Sequence, residues 1–157
     1  MHSLRERELF RWFLACLLFG KPIQQDIARL AFLQLDEAGL NSPEAILGAG
    51  WKRLVDLLDR AHYVRYDFST ATKLLDVCRA LMVRYGSLER LIAQYATPAE
   101  LGRALQEFKG IGPVTARIFL REVRPLWHKL KGEATTRTRK QSVNRQPRQL
   151  SRPMSGS

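Results

Sequence analysis

Apolar residues recur every three or four positions along almost the whole chain before Pro125, and this spacing limits the fold more than any other feature. The first apolar segment is hydrophobic around most of its circumference, which predicts a central helix containing Leu9, Phe10, Phe13, Leu14, Leu17 and Leu18. No stretch alternates polar and apolar residues over the length of a strand, so the sequence predicts an all-α fold. About seven to eight short helices with brief connections favour a compact orthogonal array over a long bundle.

Local signals mark several helix ends. Gly20-Lys21-Pro22 ends the first helix. In Asn41-Ser42-Pro43-Glu44, Ser42 is expected to cap a helix whose first turn contains the proline. Thr97-Pro98-Ala99-Glu100 has the pattern of a capping box, with Thr97 at the cap.

The charge of the chain points to a polyanionic partner. Its 157 residues suffice for one compact domain, and 26 Lys+Arg against 15 Asp+Glu give a formal net charge of +11. Such an excess favours nucleic acid first and an acidic membrane surface second.

The two cysteines, Cys16 and Cys78, are far apart and the three histidines share no ligand spacing, so we expect buried thiols and no metal site.

Much of this charge lies at the carboxyl end. Residues 129–157 contain eight Lys or Arg and one acid, Glu133, and are nearly empty of large apolar residues. We therefore expect a helical domain over residues 1–125 and a disordered basic tail over residues 126–157. The tail is either a solvated segment without a role or an arm that adds salt-sensitive affinity for a phosphate backbone.

The amino end argues against export. Phe13-Leu14-Ala15-Cys16 superficially resembles a lipoprotein cleavage site, and residues 9–19 are apolar apart from Arg11. Glu6 and Glu8 do not fit a positive leader, and the run is too short to span a bilayer. We expect a cytoplasmic protein with no membrane partner, associated with the nucleoid if it binds DNA.

Residues 105–117 carry the clearest functional signal. Phe108-Lys109-Gly110-Ile111-Gly112-Pro113 joins two amphipathic helices, and its glycines allow a tight turn and a close approach of the backbone to a ligand. Free N–H groups at the start of the second helix would favour an anion, and a phosphate is the natural occupant. The candidate binding residues are Lys109, Gly110, Ile111, Gly112, Thr115 and Arg117.

This segment resembles the helix-hairpin-helix, in which Gly-apolar-Gly is followed by Thr-Ala, here Thr115-Ala116. The resemblance extends over residues 9–123 and is to the barrel half of the endonuclease III-like DNA glycosylases. It implies base-excision repair, a hairpin that grips the phosphate backbone of double-stranded DNA with little sequence preference, and loops that enter the groove while a base is extruded. By position, the groove-inserting loops would contain Lys21, Gln24, Tyr63 and Arg65.

The catalytic groups of that superfamily are not found in the matching positions. Its lyase members have a nucleophilic Lys where this chain has Val114, so lyase activity is not expected. The family's aspartate would fall close to Gly132, and Glu133 is the only nearby carboxylate, a weak catalytic candidate in the predicted tail. The four-cysteine loop is missing, so no iron–sulfur cluster or other cofactor is expected. A second domain or a partner chain would be needed to complete the family's pocket.

Three functions remain open at this point. The chain is a glycosylase relative or fragment whose catalytic carboxylate is not located, a non-catalytic DNA-binding module, or a helical protein-interaction domain whose glycines only make a turn.

Overall fold

The computed structural model describes residues 3–20 and 22–132. It contains seven α-helices: α1 (Leu4–Phe19), α2 (Gln25–Glu37), α3 (Pro43–Arg60), α4 (Asp67–Arg84), α5 (Leu88–Ala93), α6 (Pro98–Gln106) and α7 (Pro113–Val123). A 3₁₀ turn (Arg124–Leu126) and a helical stretch over residues 127–132 follow. No strand occurs in these two ranges, so the all-α prediction is confirmed.

Helix α1 is central, as its apolar circumference predicted. Its buried residues are Glu6, Leu9, Phe10, Phe13, Leu14, Cys16, Leu17 and Leu18. It packs against α2, α5 and α7, and the ring of Phe13 meets that of Phe119 edge to face with centroids 5.4 Å apart. Helix α1 is therefore the element against which α2, α5 and α7 are positioned.

The predicted helix starts are confirmed by cap hydrogen bonds. Ser42 Oγ accepts from Ala45 N at 3.1 Å, and Thr97 Oγ1 accepts from Glu100 N at 3.2 Å. The Glu100 carboxylate completes the box on Ala96 N, one residue before the cap, at 2.9 Å. Helix α3 is broken at Gly50 (φ 83°), so it consists of two shorter helices joined at a kink.

Two charged side chains lie in the core and join α1 to its neighbours. The Glu6 carboxylate, 2% exposed, accepts from Leu88 N and Glu89 N, each at 2.8 Å, at the start of α5. At the other end of α1, Lys73 Nζ donates to Leu17 O at 2.8 Å. Each group satisfies backbone atoms at a helix terminus that would otherwise lack partners.

The predicted domain boundary at residue 125 was wrong. Residues 127–132 are helical, and Trp127 and Leu130, three positions apart, are buried. Lys131 Nζ donates to the carbonyl oxygens of Ala93 and Tyr95, each at 2.7 Å. The folded part therefore extends to residue 132, because Trp127 and Leu130 form an apolar helix face at the start of the basic segment. The remainder of the predicted tail, including Glu133, lies outside the described residues.

Both cysteines are buried, as expected. Burial raises the pKa of the Cys78 thiol to about 12 and also raises that of Cys16, so neither is a ready nucleophile. Within the described residues, no helix is both long and apolar enough to cross a membrane.

Candidate nucleic-acid interface

The turn between α6 and α7 is held by two buried apolar side chains. Phe108 is 2% exposed and Ile111 is 5% exposed, and Ile111 N donates to Phe108 O at 3.1 Å. Lys109, Gly110 and Gly112 lie beside these anchors and are exposed. The turn is thus fixed from within and presents its backbone to solvent.

Gly110 is required by both backbone conformation and space. Its φ is +100°, where side chains are strained, and a Cβ built on it would lie 2.7 Å from Lys73 Cγ. The aliphatic part of Lys73 thus supports the turn while its ammonium group reaches Leu17 O. Lys73 is not among the residues that the sequence predicts for this region.

Gly112 lies on the side of the turn that has open space around it. It caps α7 with extended backbone (φ −100°, ψ −173°), and a Cβ there would meet no atom within 4 Å. Pro113 has no N–H, and the first helical bond runs from Ala116 N to Gly112 O at 3.1 Å, so the N–H groups of Val114 and Thr115 have no acceptor within the helix. This surface offers donors at the positive end of a helix dipole.

Exposed cations flank the same surface. Lys109 lies in the turn, and Arg117 lies one helical turn after Pro113. Val114, where the resemblance would place a lyase lysine, is 47% exposed. An anion at Gly112 would therefore meet backbone amides and be approached by two cationic side chains.

Thr115, one of the candidate binding residues, does not present its hydroxyl to a ligand. Its side chain is 5% exposed, and its Oγ1 occupies the space that a Cβ on Gly20 would need. Thr115 therefore packs α7 against the end of α1. Only its backbone N–H remains a candidate for ligand binding.

Tyr63 was wrongly predicted as a groove-inserting residue. It is fully buried, its hydroxyl donates to Leu18 O at 2.6 Å, and burial raises its pKa to about 12. The reason is the turn before it: His62 has a φ of 65° and Tyr63 N donates to Leu58 O at 3.0 Å, which directs the ring inward.

The other predicted loop residues differ in their placement. Arg65 is exposed, with its guanidinium 5.6 Å from the centre of the Tyr66 ring. Gln24 is exposed immediately before α2. Lys21 and the catalytic candidate Glu133 lie outside the described residues.

The three segments singled out from the sequence meet around the carboxyl end of α1. Leu17 O accepts a hydrogen bond from Lys73, which supports the hairpin turn. Leu18 O accepts one from Tyr63, which belongs to the same loop as Arg65. Gly20 lies against Thr115 of α7. The three segments were predicted from the sequence, but Lys73, which connects the hairpin turn to the end of α1, was not. The signal was available, because Lys73 is in helical register with the buried residues Thr70 and Val77.

Substituting Tyr63 separates its packing role from a role in DNA binding. Tyr63→Phe leaves Leu18 O without the phenol donor and is expected to lower the free energy of unfolding by about 1–2 kcal/mol. DNA affinity should change less than about twofold, as no exposed atom is removed. Urea unfolding and a duplex titration measure the two effects, with Arg65→Gln as the exposed control from the same loop. Weakened DNA binding at unaltered stability would restore Tyr63 to the interface.

Comparison of the chain with protein-family models, with curated proteins and with solved structures finds no match. The resemblance to the endonuclease III-like glycosylases therefore remains a hypothesis that depends on the residues quoted above.

Proposed function

We propose that this chain binds double-stranded DNA through its phosphate backbone, with the α6–α7 turn as the principal contact. The observation that carries the proposal is the open surface at Gly112, where the first N–H groups of α7 have no acceptor within the helix and the side chains of Lys109 and Arg117 are exposed. Backbone amides at a helix start suit a phosphate, whereas base edges are read by side chains placed in a groove. Binding is therefore expected to depend little on sequence.

The overall charge supports this choice of partner. A formal net charge of +11 attracts a polyanion over long range and makes the affinity fall steeply with salt. The exposed cations beside the turn would then orient the encounter.

The proposed setting is base-excision repair in the cytoplasm, at the nucleoid. Its support is the convergence of the hairpin and the two loops that the resemblance identifies at one end of α1. We propose binding and not base removal, because base removal needs a positioned carboxylate and the sequence has Gly132 close to where the resemblance would place it.

A charge change at Gly112 tests the proposal. Gly112→Glu and Gly112→Gln have the same size, and the backbone and open space at this position accept either side chain. A carboxylate at the phosphate site should weaken duplex binding by about 100-fold relative to glutamine, since like-charge apposition costs several kcal/mol. Binding is measured by fluorescence anisotropy with a labelled duplex at two salt concentrations.

Thermal unfolding provides the control for folding. A glutamate at a helix start is favoured by the dipole, so Gly112→Glu should melt no lower than Gly112→Gln. Equal duplex affinities for the two variants would remove the hairpin from the interface.

A further inference from the structure

A groove on the outer side of α6 and α7 is lined by arginines. Its volume is about 660 Å³, and its polar lining consists of Arg103 and Gln106 from α6 with Arg117, Arg121 and Arg124 from α7 and the turn after it. No carboxylate lines it; the acids of α6 and α7 (Glu100 and Glu122) lie elsewhere on these helices. The two helices approach closely where a Cβ on Gly102 would lie 2.9 Å from Leu120 Cδ1, and the groove runs alongside.

The arginines of α7 and of the turn after it form a row that begins at the hairpin. Arg117, Arg121 and Arg124 are separated by four and three positions, so they share one helix face over about 10 Å. Pro113, the first residue of α7, lies at the other end of the groove lining. The row is therefore continuous with the surface at Gly112.

The four arginines of the groove have no ion-pair partner within residues 3–20 and 22–132; they are Arg103, Arg117, Arg121 and Arg124. By contrast, Arg11, Arg29 and Arg79 are each within 4 Å of an acid. Like charges at this helical spacing disfavour the helix by about 0.2–0.5 kcal/mol per pair. A polyanion in the groove would turn that repulsion into attraction, and guanidinium groups can bind phosphate through two parallel hydrogen bonds.

We infer that this arginine groove binds a second segment of phosphodiester backbone, additional to the one at the Gly112 surface. The inference rests on the proposed function, since the groove begins at the proposed phosphate site. Phosphodiester is favoured over an acidic peptide because the row continues a turn whose open backbone donors already suit phosphate.

The test removes the groove charges that the hairpin does not share. Arg103, Arg121 and Arg124 are exposed and are replaced together by Gln; the matched control replaces Arg29, Arg79 and Arg90, which are exposed on α2, α4 and α5. Binding of a 24-base-pair duplex is measured over a salt series. Each lost phosphate contact lowers the slope of log K against log salt by about 0.9, so the groove variant should lose about 2–3 from its slope, whereas the control loses less than about one.

The outcomes distinguish this inference from the function it builds on. A groove variant with the slope of its control overturns the inference alone, provided that Gly112→Glu still binds the duplex more weakly than Gly112→Gln. A reduced slope together with equal affinities of Gly112→Glu and Gly112→Gln supports the groove and overturns the hairpin. Wild-type protein without duplex affinity overturns both. An unchanged DNA slope with loss of poly-glutamate binding overturns the inference and assigns the groove to an acidic protein.

Discussion

Gly110→Ala is expected to lower the free energy of unfolding by about 2–4 kcal/mol. Positive φ disfavours an L side chain by about 1–2 kcal/mol, and the new Cβ would lie 2.7 Å from Lys73 Cγ, an overlap of the kind that costs about 1–3 kcal/mol. Lys73 cannot move away freely, because its Nζ is bonded to Leu17 O at 2.8 Å. The substitution should therefore disturb the packing between α4, α1 and the hairpin.

Urea unfolding monitored by circular dichroism measures the loss, and Gly112→Ala provides the matched control. Gly112 has extended backbone and open space, so its alanine variant should differ from wild type by less than about 1 kcal/mol. Lys73→Ala removes the overlapping methylene, so a double-mutant cycle with Gly110→Ala should give a coupling of about 1 kcal/mol or more. Equal losses at the two glycines, or a coupling near zero, would contradict this account.

The two glycines of this turn differ in their surroundings. Gly110 is required by the fold, whereas a side chain at Gly112 would meet open space. A binding defect caused by substitution at Gly110 would follow from displacement of the turn, which is why the test of function uses Gly112.

Helix ends could be predicted from the sequence because their chemistry is local. Ser42, Thr97 and Gly20 act within a few residues of themselves, and all three were assigned to the helix ends where the structure has them. The all-α class follows from periodicity, which also depends on neighbouring positions.

The direction of a loop side chain could not be predicted in this way. Tyr63 points inward because of the positive φ at His62 and a backbone bond to Leu58, and neither leaves a clear pattern in the sequence. Thr115 was misjudged for a related reason, since its partner, Gly20, is distant in the chain. Both positions depend on tertiary packing.

The arginine groove lies between these cases. The spacing of Arg117, Arg121 and Arg124 is visible in the sequence, but only the first was identified as a binding candidate. Its partners on α6, Arg103 and Gln106, join the row only when the two helices pack. The row of three arginines was therefore predictable from periodicity, whereas the α6 side of the groove was not.

The same distinction applies to Glu6 in the core, whose burial follows from periodicity and whose partners depend on tertiary packing. Glu6 is in register with Phe10, Phe13 and Leu17, on the buried face of α1. Its carboxylate accepts two backbone N–H groups at the start of α5. Because α5 has only six residues, its position depends on this contact.

Glu6→Ala is expected to destabilise the protein by about 3–5 kcal/mol. It leaves the N–H groups of Leu88 and Glu89 without their acceptor, and bonds to a charged group contribute about 1.5–3 kcal/mol each. Glu6→Gln should lose less, about 1–3 kcal/mol, since its amide has one oxygen to accept with and its NH₂ group faces the second donor.

Glu8→Ala is the matched control on the same helix. Glu8 is exposed and pairs with Arg11 at 3.3 Å, an interaction of about 0–1 kcal/mol. Chemical denaturation of the three variants gives the stabilities, and hydrogen exchange at Leu88 and Glu89 reports locally on α5. If Glu6→Ala were no more destabilising than Glu8→Ala, the carboxylate would not be what holds α5 against α1, and the packing of Leu88, Leu91 and Ile92 would have to position it alone.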